Sequence, residues 1–458
     1  MALFPKFVNS HFFNFNYNLN PMADLNSLFR EHTQIRQSSA EAVLDKTKFD
    51  CLVISSGQPF TYFADDNDAP FHTVPHFNHW CPLEGAHHFL IIRPGRKISL
   101  FRYSPEDFWY EQKPLGDPFW LPFFDIQEFS TLEALKESLK DLGKVAYLGN
   151  EFDLLRDKGW TMNPEPLTKH LDWTRSFKSN YEIQCILEAQ KLGACGHRAS
   201  REAFLSGASE LEIHHAFVRA VGCTDDDLPY TTIVALNEKG ATLHYHGKRP
   251  QIHKGSVLLL DAGAKWNGYA SDITRTHAIP SCHERFQSLL KGMEKIQQDL
   301  CESLKPGMHY ADFHQDAHLR IGQLLVEQNL LNCSADEVHG KGYTMPFFPH
   351  GLGHHLGLQV HDVAGKQLSP QGDAAPQPAG HPYLRTTRMI EEGHVFTVEP
   401  GLYFIPMLLR KYRENGSASI FNWKLIDELT PFGGIRIEDN VLITKSGHRN
   451  LTREHLPH

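Results

Sequence analysis

No Cys-x-x-Cys pair occurs among the eight cysteines, no apolar stretch approaches the roughly 18 residues that a membrane-crossing helix needs, and positive charge is in the minority. Each absence removes a class of protein. Without paired cysteines a thiolate zinc site is not expected, and Cys51, Cys81, Cys185, Cys195, Cys223, Cys282, Cys301 and Cys333 are too scattered to frame a disulfide scaffold. They fit free thiols in a reducing compartment, so a cytoplasmic location is expected. Lys and Arg number 45 against 54 Asp and Glu, a net charge of -9, the opposite of the basic footprint of a nucleic-acid binder. There is no phosphate-cradling P-loop, no dinucleotide fingerprint after a strand, no G-x-S-x-G elbow and no repeat at solenoid period.

What is present is ordinary globular composition, 41% hydrophobic and 22% charged, with 29 histidines. Histidine is the commonest metal ligand and the side chain that titrates nearest neutrality, so the balance leans toward an enzyme, in particular a metalloenzyme. A chain of 458 residues is long enough for two or three domains.

Residues 1–21 are rich in Phe and Asn and are broken by polar residues too often for a signal peptide, which reads as a disordered tail or an over-long start. From residue 22 to about 170, strand patterns at 50–55, 87–92 and 97–103 alternate with helical ones, including 131–142, and imply an α/β domain. A turn-rich stretch (Met162-Asn-Pro-Glu-Pro) puts a boundary between about 160 and 178, so residues 171–458 form the second domain. It opens with two capping boxes, Ser179-x-x-Glu182 and Ser209-x-x-Glu212. Strand patterns follow from 230 to 279, helical ones from 283 to 328, and strand-like runs near 350–364, 394–405 and 433–444. The Pro/Gly/Gln-rich interval 364–388 reads as a loop.

The chemistry lies in the second domain. Asn267-Gly268 between two strand-like runs is a hairpin signal. That turn places position 261 opposite 274, which turns Asp261 and Asp272 to the same face. Two carboxylates at a buried sheet end repel unless a cation lies between them; alone, the pair also fits a solvent-facing turn. His350, His354, His355 and His361 recur along a segment threaded by Gly351, Gly353 and Gly357, whose bare backbone permits close approach. Glu399 ends an apolar run that Pro400 stops. Arg436 and Glu438 share one face of an apolar strand, where an internal ion pair is the simpler account of those two alone. His244 follows a strand and is equally compatible with a structural role. Together the four carboxylates carry a charge of about -4, which two divalent cations would cancel, and an oxygen-dominated set with a single imidazole suits Mn²⁺.

In order and local context, Asp261, Asp272, His354, Glu399 and Glu438 resemble the five-ligand set of the pita-bread metallopeptidases, which include methionine aminopeptidase, aminopeptidase P and prolidase. The strings DAGAKWNGYASDITRT, FFPHGLGHHLGLQVHDV, FTVEPGLYF and PFGGIRIEDN, with FADDNDAPF and SPEDFWY upstream, are similar to the bacterial Xaa-Pro dipeptidases, a group that includes organophosphorus acid anhydrolases. The resemblance implies an α+β chain, an N-terminal α/β domain followed by a pita-bread domain of two pseudo-symmetric halves. It implies a dinuclear centre, Asp261 and Glu438 bridging, Asp272 on one ion, His354 and Glu399 on the other. Glu399 would carry the proton, with His361 and His244 on the oxyanion. Arg436 and His350 would hold the carboxylate of an X-Pro dipeptide, with Tyr230, Tyr310, Val360 and Leu384 as pocket walls. Asp66 would reach the site of a second subunit of a homodimer. A side activity on phosphotriesters is part of the same expectation. The alternatives are an aminopeptidase P type of enzyme and a non-catalytic binding module, which typically loses ligands that are all present here.

Overall fold

A computed structural model describes residues 24–457 apart from 152, 252 and 253; the expectations for residues 1–21 lie outside the described residues. Helix α1 (Leu25–Thr47) begins at Asp24, whose carboxylate accepts the N–H groups of Asn26 and Ser27, and ends at Lys48 in the left-handed conformation. Then come β1 (Cys51–Ser55), α2 (Pro75–Asn78), β2 (Phe89–Ile92), β3 (Ile98–Tyr103), β4 (Phe124–Phe129), α3 (Leu132–Ser138), β5 (Val145–Leu148), β6 (Thr161–Met162) and α4 (Glu165–Arg175). The strands form one mixed sheet in the order β4-β3-β2-β1-β5-β6. Every residue of β1, β2 and β5 is buried, because helices cover both faces. Strand alternation decides the sharing: Leu52 and Ile54 pack with Phe29, Val43 and Leu44 of α1, while Cys51 and Val53 pack with Leu135 and Leu139. The cluster beneath α1 does not stop at the first domain. It continues through Tyr181, Ile183 and Ile186 to Tyr269, Leu356 and Leu442.

Helix α4 runs through residue 170, and the helical path breaks only at 176–179. There Ser179 caps α5 (Asn180–Leu205) with the expected box, and Ser209 caps α6 (Glu210–Val221) in the same way. Glu182 also gathers His32, Arg36 and His79 at 3.4–3.8 Å, all buried, which ties α1 and the end of α2 to the first turn of α5.

The second domain continues with β7 (Ile233–Leu236), β8 (Val257–Asp261), β9 (Lys265–Trp266), β10 (Tyr269–Ala270) and β11 (Thr274–Ala278), then α7 (Glu284–Ser303), α8 (Tyr310–Glu327) and α9 (Ala335–Lys341). Its last part holds β12 (Val395–Val398), β13 (Gly401–Tyr403), α10 (Pro406–Arg413), α11 (Trp423–Leu429), β14 (Gly434–Arg436), β15 (Asp439–Thr444) and β16 (Gly447–Asn450). Asn267 and Gly268 both have positive φ, 46° and 84°, the geometry of the tight hairpin turn their sequence signals. The register that follows is the expected one, Trp266 opposite Tyr269 and Asp261 opposite Thr274. The last part repeats the arrangement: β12 pairs with β15 up to Val398–Asp439, and β13 pairs with β14 from Gly401–Arg436. The two ladders share one register, so Glu399 and Glu438 face each other across the gap between them. Each half thus interrupts its ladder where two carboxylates lie. An isolated bridge between Thr274 and Glu438 joins the halves.

The strand-like run expected at 350–364 is not a strand. It is an irregular segment with a single bridge, His355 to Phe396; only residues 352–356 follow β12, through backbone hydrogen bonds of Leu352, His354 and Leu356, while its glycines pack on three different neighbours, Leu384, the Thr397 carbonyl and Asp362. The interval 364–388 is a loop, as its composition implies. Helices α9, α10 and α11 are additions that the sequence reading did not place.

Candidate metal centre and its surroundings

Asp261 closes β8, Asp272 lies just before β11, Glu399 follows β12 and Glu438 precedes β15, so all four carboxylates come from strand ends. His354 comes from the glycine-threaded segment. Its N–H donates to Thr397 Oγ1 at 3.1 Å and its carbonyl accepts the Thr397 N–H at 2.9 Å, which fixes it beside β12. Its Nδ1 donates to the His355 carbonyl at 3.0 Å, so Nε2 is left facing Asp272 at 3.5 Å and Glu399 at 3.6 Å. A histidine whose outer nitrogen is held by a carbonyl is set to ligate through the other. Donor atoms of Asp272, His354 and Glu438 lie within 4.8 Å of one another.

Neighbouring groups hold the carboxylates in place. Tyr230 Oη lies 2.8 Å from Asp261 Oδ1 and 2.6 Å from Asp272 Oδ1, so its one proton serves both. Thr274 donates to Glu438 Oε2 at 2.6 Å. Asn440 donates to the Asp272 carbonyl at 2.6 Å and accepts the Asp272 N–H at 2.9 Å. Four carboxylates against one guanidinium make a strongly negative buried cluster. Burial, then the charges of Asp272, Glu399 and Asp261, push the Glu438 carboxyl well above its ordinary range. Burial raises Glu399 to about 7 against the pull of His354 and Arg436, and raises Asp261 although Arg436 opposes it. For Asp272 burial also acts upward, but the hydrogen bond and charge of His354 outweigh it and the carboxyl is lowered. A donor set of carboxylates plus one correctly oriented imidazole, with surplus negative charge, fits divalent cations.

Arg436 donates through Nη2 to Asp261 Oδ2 at 2.6 Å and through Nη1 to Tyr403 Oη at 2.9 Å. Tyr403 in turn lies 2.9 Å from His350 Nε2, and His350 Nδ1 donates to the Gly351 carbonyl at 2.8 Å. Burial, then the charge of Arg436, lowers His350 to about 3 and keeps it neutral. His361 stacks edge-on against His354, ring centroids 4.4 Å apart. The next residue, Asp362, is buried and ion-paired to Arg175 and, at 2.9 Å, to Lys178. A cavity of about 340 Å³ opens here, lined by His354, His361 and, from the loop, Pro382, Tyr383, Leu384 and Arg385.

The structure therefore brings together Asp261, Asp272, His354, Glu399, Glu438, Tyr230, Arg436, His350, His361 and Leu384. Val360, next to His361, is half-buried against the shared core. His244 is exposed, on the segment after β7, close enough for its charge to bear on His350 and His361. Tyr310 is wholly buried and donates to the Thr397 carbonyl at 3.0 Å, so it stands behind the ligand strand and not on the cavity surface. Asp66 lies on an exposed loop, where its N–H donates to Asp65 at 2.7 Å, and is not among the residues touching the cluster. Sequence reasoning missed Tyr403, Thr274, Thr397, Asn440 and Asp362. Tyr403 had a readable signal, since it lies in the same string as Glu399 and pairs with Gly434, where any side chain would collide with its ring.

The fold and the site define a two-part metallopeptidase. The chain belongs to metallopeptidase family M24, whose model matches residues 184–445, and residues 27–173 match the N-terminal domain of Xaa-Pro dipeptidases. The second part is thus the pita-bread domain. Xaa-Pro dipeptidase of Pseudoalteromonas atlantica is 40% identical over 440 residues, 94% of this chain and 99% of that one. The enzyme of the same name from Pectobacterium atrosepticum is 41% identical over 440 residues, with the same coverage. Among solved structures, zinc-substituted Escherichia coli aminopeptidase P in complex with product has a TM-score of 0.71 at 22% identity, covering 94% of this chain and 95% of that one, a likeness of fold.

Proposed function

We propose that the chain is a dinuclear Xaa-Pro dipeptidase with Asp261, Asp272, His354, Glu399 and Glu438 as its ligands. The observation that carries this reading is the convergence of three buried carboxylates, the half-buried Glu399 and one oriented imidazole from both halves of a chain 40% identical to Xaa-Pro dipeptidases over 94% of its length. Two divalent ions, Mn²⁺ by the oxygen-rich donor set, would polarise the scissile carbonyl and lower the pKa of an attacking water. Glu399 carries a proton from that water to the proline nitrogen, a role its environment favours by placing a carboxylate among like charges. His361 and His244 would stabilise the carbonyl oxygen as charge develops there. With Asp261 serving as a metal ligand, Nη2 of Arg436, which Asp261 holds in this structure, would be free for another carboxylate. The guanidinium, braced by Tyr403, then receives the proline carboxylate together with His350. A proline peptide bond offers no N–H to grip, and recognition of the carboxylate one residue beyond the scissile bond selects dipeptides. Leu384, Val360 and Tyr230 shape the pocket; Tyr310 acts from behind it. Homodimerisation, which would carry Asp66 to a partner's site and its charge to the substrate amine, and a cytoplasmic location belong to the same proposal, as does the division at about residue 170.

The test is turnover of Ala-Pro and Ala-Pro-Ala with Mn²⁺. Cleavage of the dipeptide alone is expected. Efficient cleavage of the tripeptide would overturn the dipeptidase reading in favour of the aminopeptidase P alternative. Glu399→Gln is expected to abolish turnover far more than it weakens substrate binding.

A further inference from the structure

A second cluster of metal-ligating side chains lies apart from the carboxylates. His314 and His318, one turn apart on α8, are 0% and 2% exposed. His381 reaches them from the 364–388 loop, with His314 Nε2 2.8 Å from His381 Nδ1. Ring centroids are 4.7–4.8 Å apart in all three pairs, and one candidate ligand atom from each residue lies within 4.8 Å of the others. We propose that His314, His318 and His381 form a mononuclear site for a zinc-class divalent cation, which pins the pocket-wall loop to α8.

The hydrogen bonding is that of a site and not of a finished core. His318 Nδ1 is bonded to Thr344 Oγ1 at 2.7 Å, which fixes the ring and leaves Nε2 without a partner; His314 Nδ1 is also buried and unpartnered. Other buried imidazole nitrogens also lack partners, but here two of them belong to rings that converge on a third histidine within ligand reach, which is the geometry a cation would use. A ligating histidine held through its other nitrogen is the usual arrangement around a metal. Burial lowers all three histidines, His314 to about 3 and His318 to about 2, so they are neutral and ready to donate lone pairs at physiological pH. Three imidazoles with no carboxylate among them suit Zn²⁺, Co²⁺ or Ni²⁺ and disfavour Mn²⁺, which selects oxygen. Three protein ligands also leave a coordination position open. The consequence is mechanical: the loop that supplies His381 supplies Pro382, Tyr383 and Leu384 to the cavity wall, so an ion here joins that wall to α8.

The test uses the full chain loaded with Mn²⁺, incubated with Zn²⁺ and desalted, its total bound divalent metal counted by mass spectrometry. Wild type is expected to hold about one equivalent per chain more than His318→Gln or His381→Ala, and Asp272→Ala to retain that increment. Thermal melting checks that the variants fold, and His381→Ala, on a half-buried loop residue, is the safeguard should His318→Gln fail. Zn²⁺ is expected to slow proteolysis within 364–388 more than about tenfold in wild type but not in His381→Ala. Equal metal counts in wild type and His381→Ala, loss of the increment in Asp272→Ala, or a loop cut at the same rate with and without Zn²⁺ would each overturn the proposal. None of these readouts depends on dipeptidase activity.

Discussion

Replacing Gly353 by alanine tests whether close backbone approach builds the metal centre. Gly353 has an ordinary φ, so alanine is conformationally permitted there; what is missing is space. An added Cβ would land on the Thr397 carbonyl oxygen and the Tyr310 hydroxyl, well inside the 3.0 Å that real Cβ atoms keep. Those two groups are hydrogen-bonded to each other at 3.0 Å in a fully buried setting, so neither swings aside. The segment must retreat by about 1 Å, and His354 is its next residue. A displacement of that size at a reacting centre costs about 100-fold in rate, and overpacking costs about 1–3 kcal/mol of stability. The variant is therefore expected to remain folded while losing about two orders of magnitude in kcat/KM on an X-Pro dipeptide, with reduced metal content. Gly340→Ala, where a Cβ meets nothing within 4 Å, is the control and should match wild type. If Gly353→Ala kept activity within about threefold of wild type with full metal, the argument that this contact positions His354 would be wrong.

Arg436→Lys should lose the fork that spans Asp261 and Tyr403, with a fall of at least about 100-fold on X-Pro and a small one on X-Pro-amide; equal losses would make Arg436 a structural partner only. Burial holds His32 and His88 at about 4 and His197 at about 3, below the value of about 6.5 for an unfolded histidine. The unfolded chain therefore binds protons first as pH falls, and stability is lost from about pH 6.5 downward. Between pH 7.5 and 5.5 the loss is about 1.4 kcal/mol for each, roughly 4 for the three together, and urea melts in chelator at the two pH values should show it; equal midpoints would contradict the assignment. Slow, Mn²⁺-dependent hydrolysis of diisopropyl fluorophosphate, inhibited competitively by X-Pro dipeptides, is also expected, because an attacked phosphorus centre resembles the tetrahedral amide intermediate. Turnover unchanged in Asp261→Asn would separate that activity from this site.

Local signals survived folding well. The Asn267-Gly268 turn fixed the register of the aspartate hairpin, and the boxes at Ser179 and Ser209 opened their helices, because both motifs satisfy their own backbone groups within a few residues. The four carboxylates were legible from their places at the ends of apolar runs, whereas the choice of His354 among the histidines of 350–361 came only from the family resemblance. What surrounds them was not legible. Tyr403, Asn440 and Thr274 reach the cluster through pairings between the two halves, and no local period announces such partners. The segment 350–364 misled because apolar residues and glycines in alternation resemble a strand, whereas here the glycines serve contact at single points. Tyr310 was recognisable as important but not as buried, since its place behind Thr397 depends on how α8 lies against β12.

The pairing of Asp362 with Arg175 and Lys178 bears on how the chain can be recombined. The two cations sit at the junction of the parts, and the carboxylate they hold follows directly on His361 at the mouth of the cavity. A chimera that took its first part, including that junction, from a relative lacking either cation would strand a buried carboxylate beside the site, a defect of the kind that costs about 3–5 kcal/mol. The shared core of α1, α5, Tyr269 and Leu356 adds the same constraint in apolar form. Exchange of the N-terminal part is therefore a change to the pocket, and a workable splice must carry residues 175–186 with 355–362 as one inherited unit.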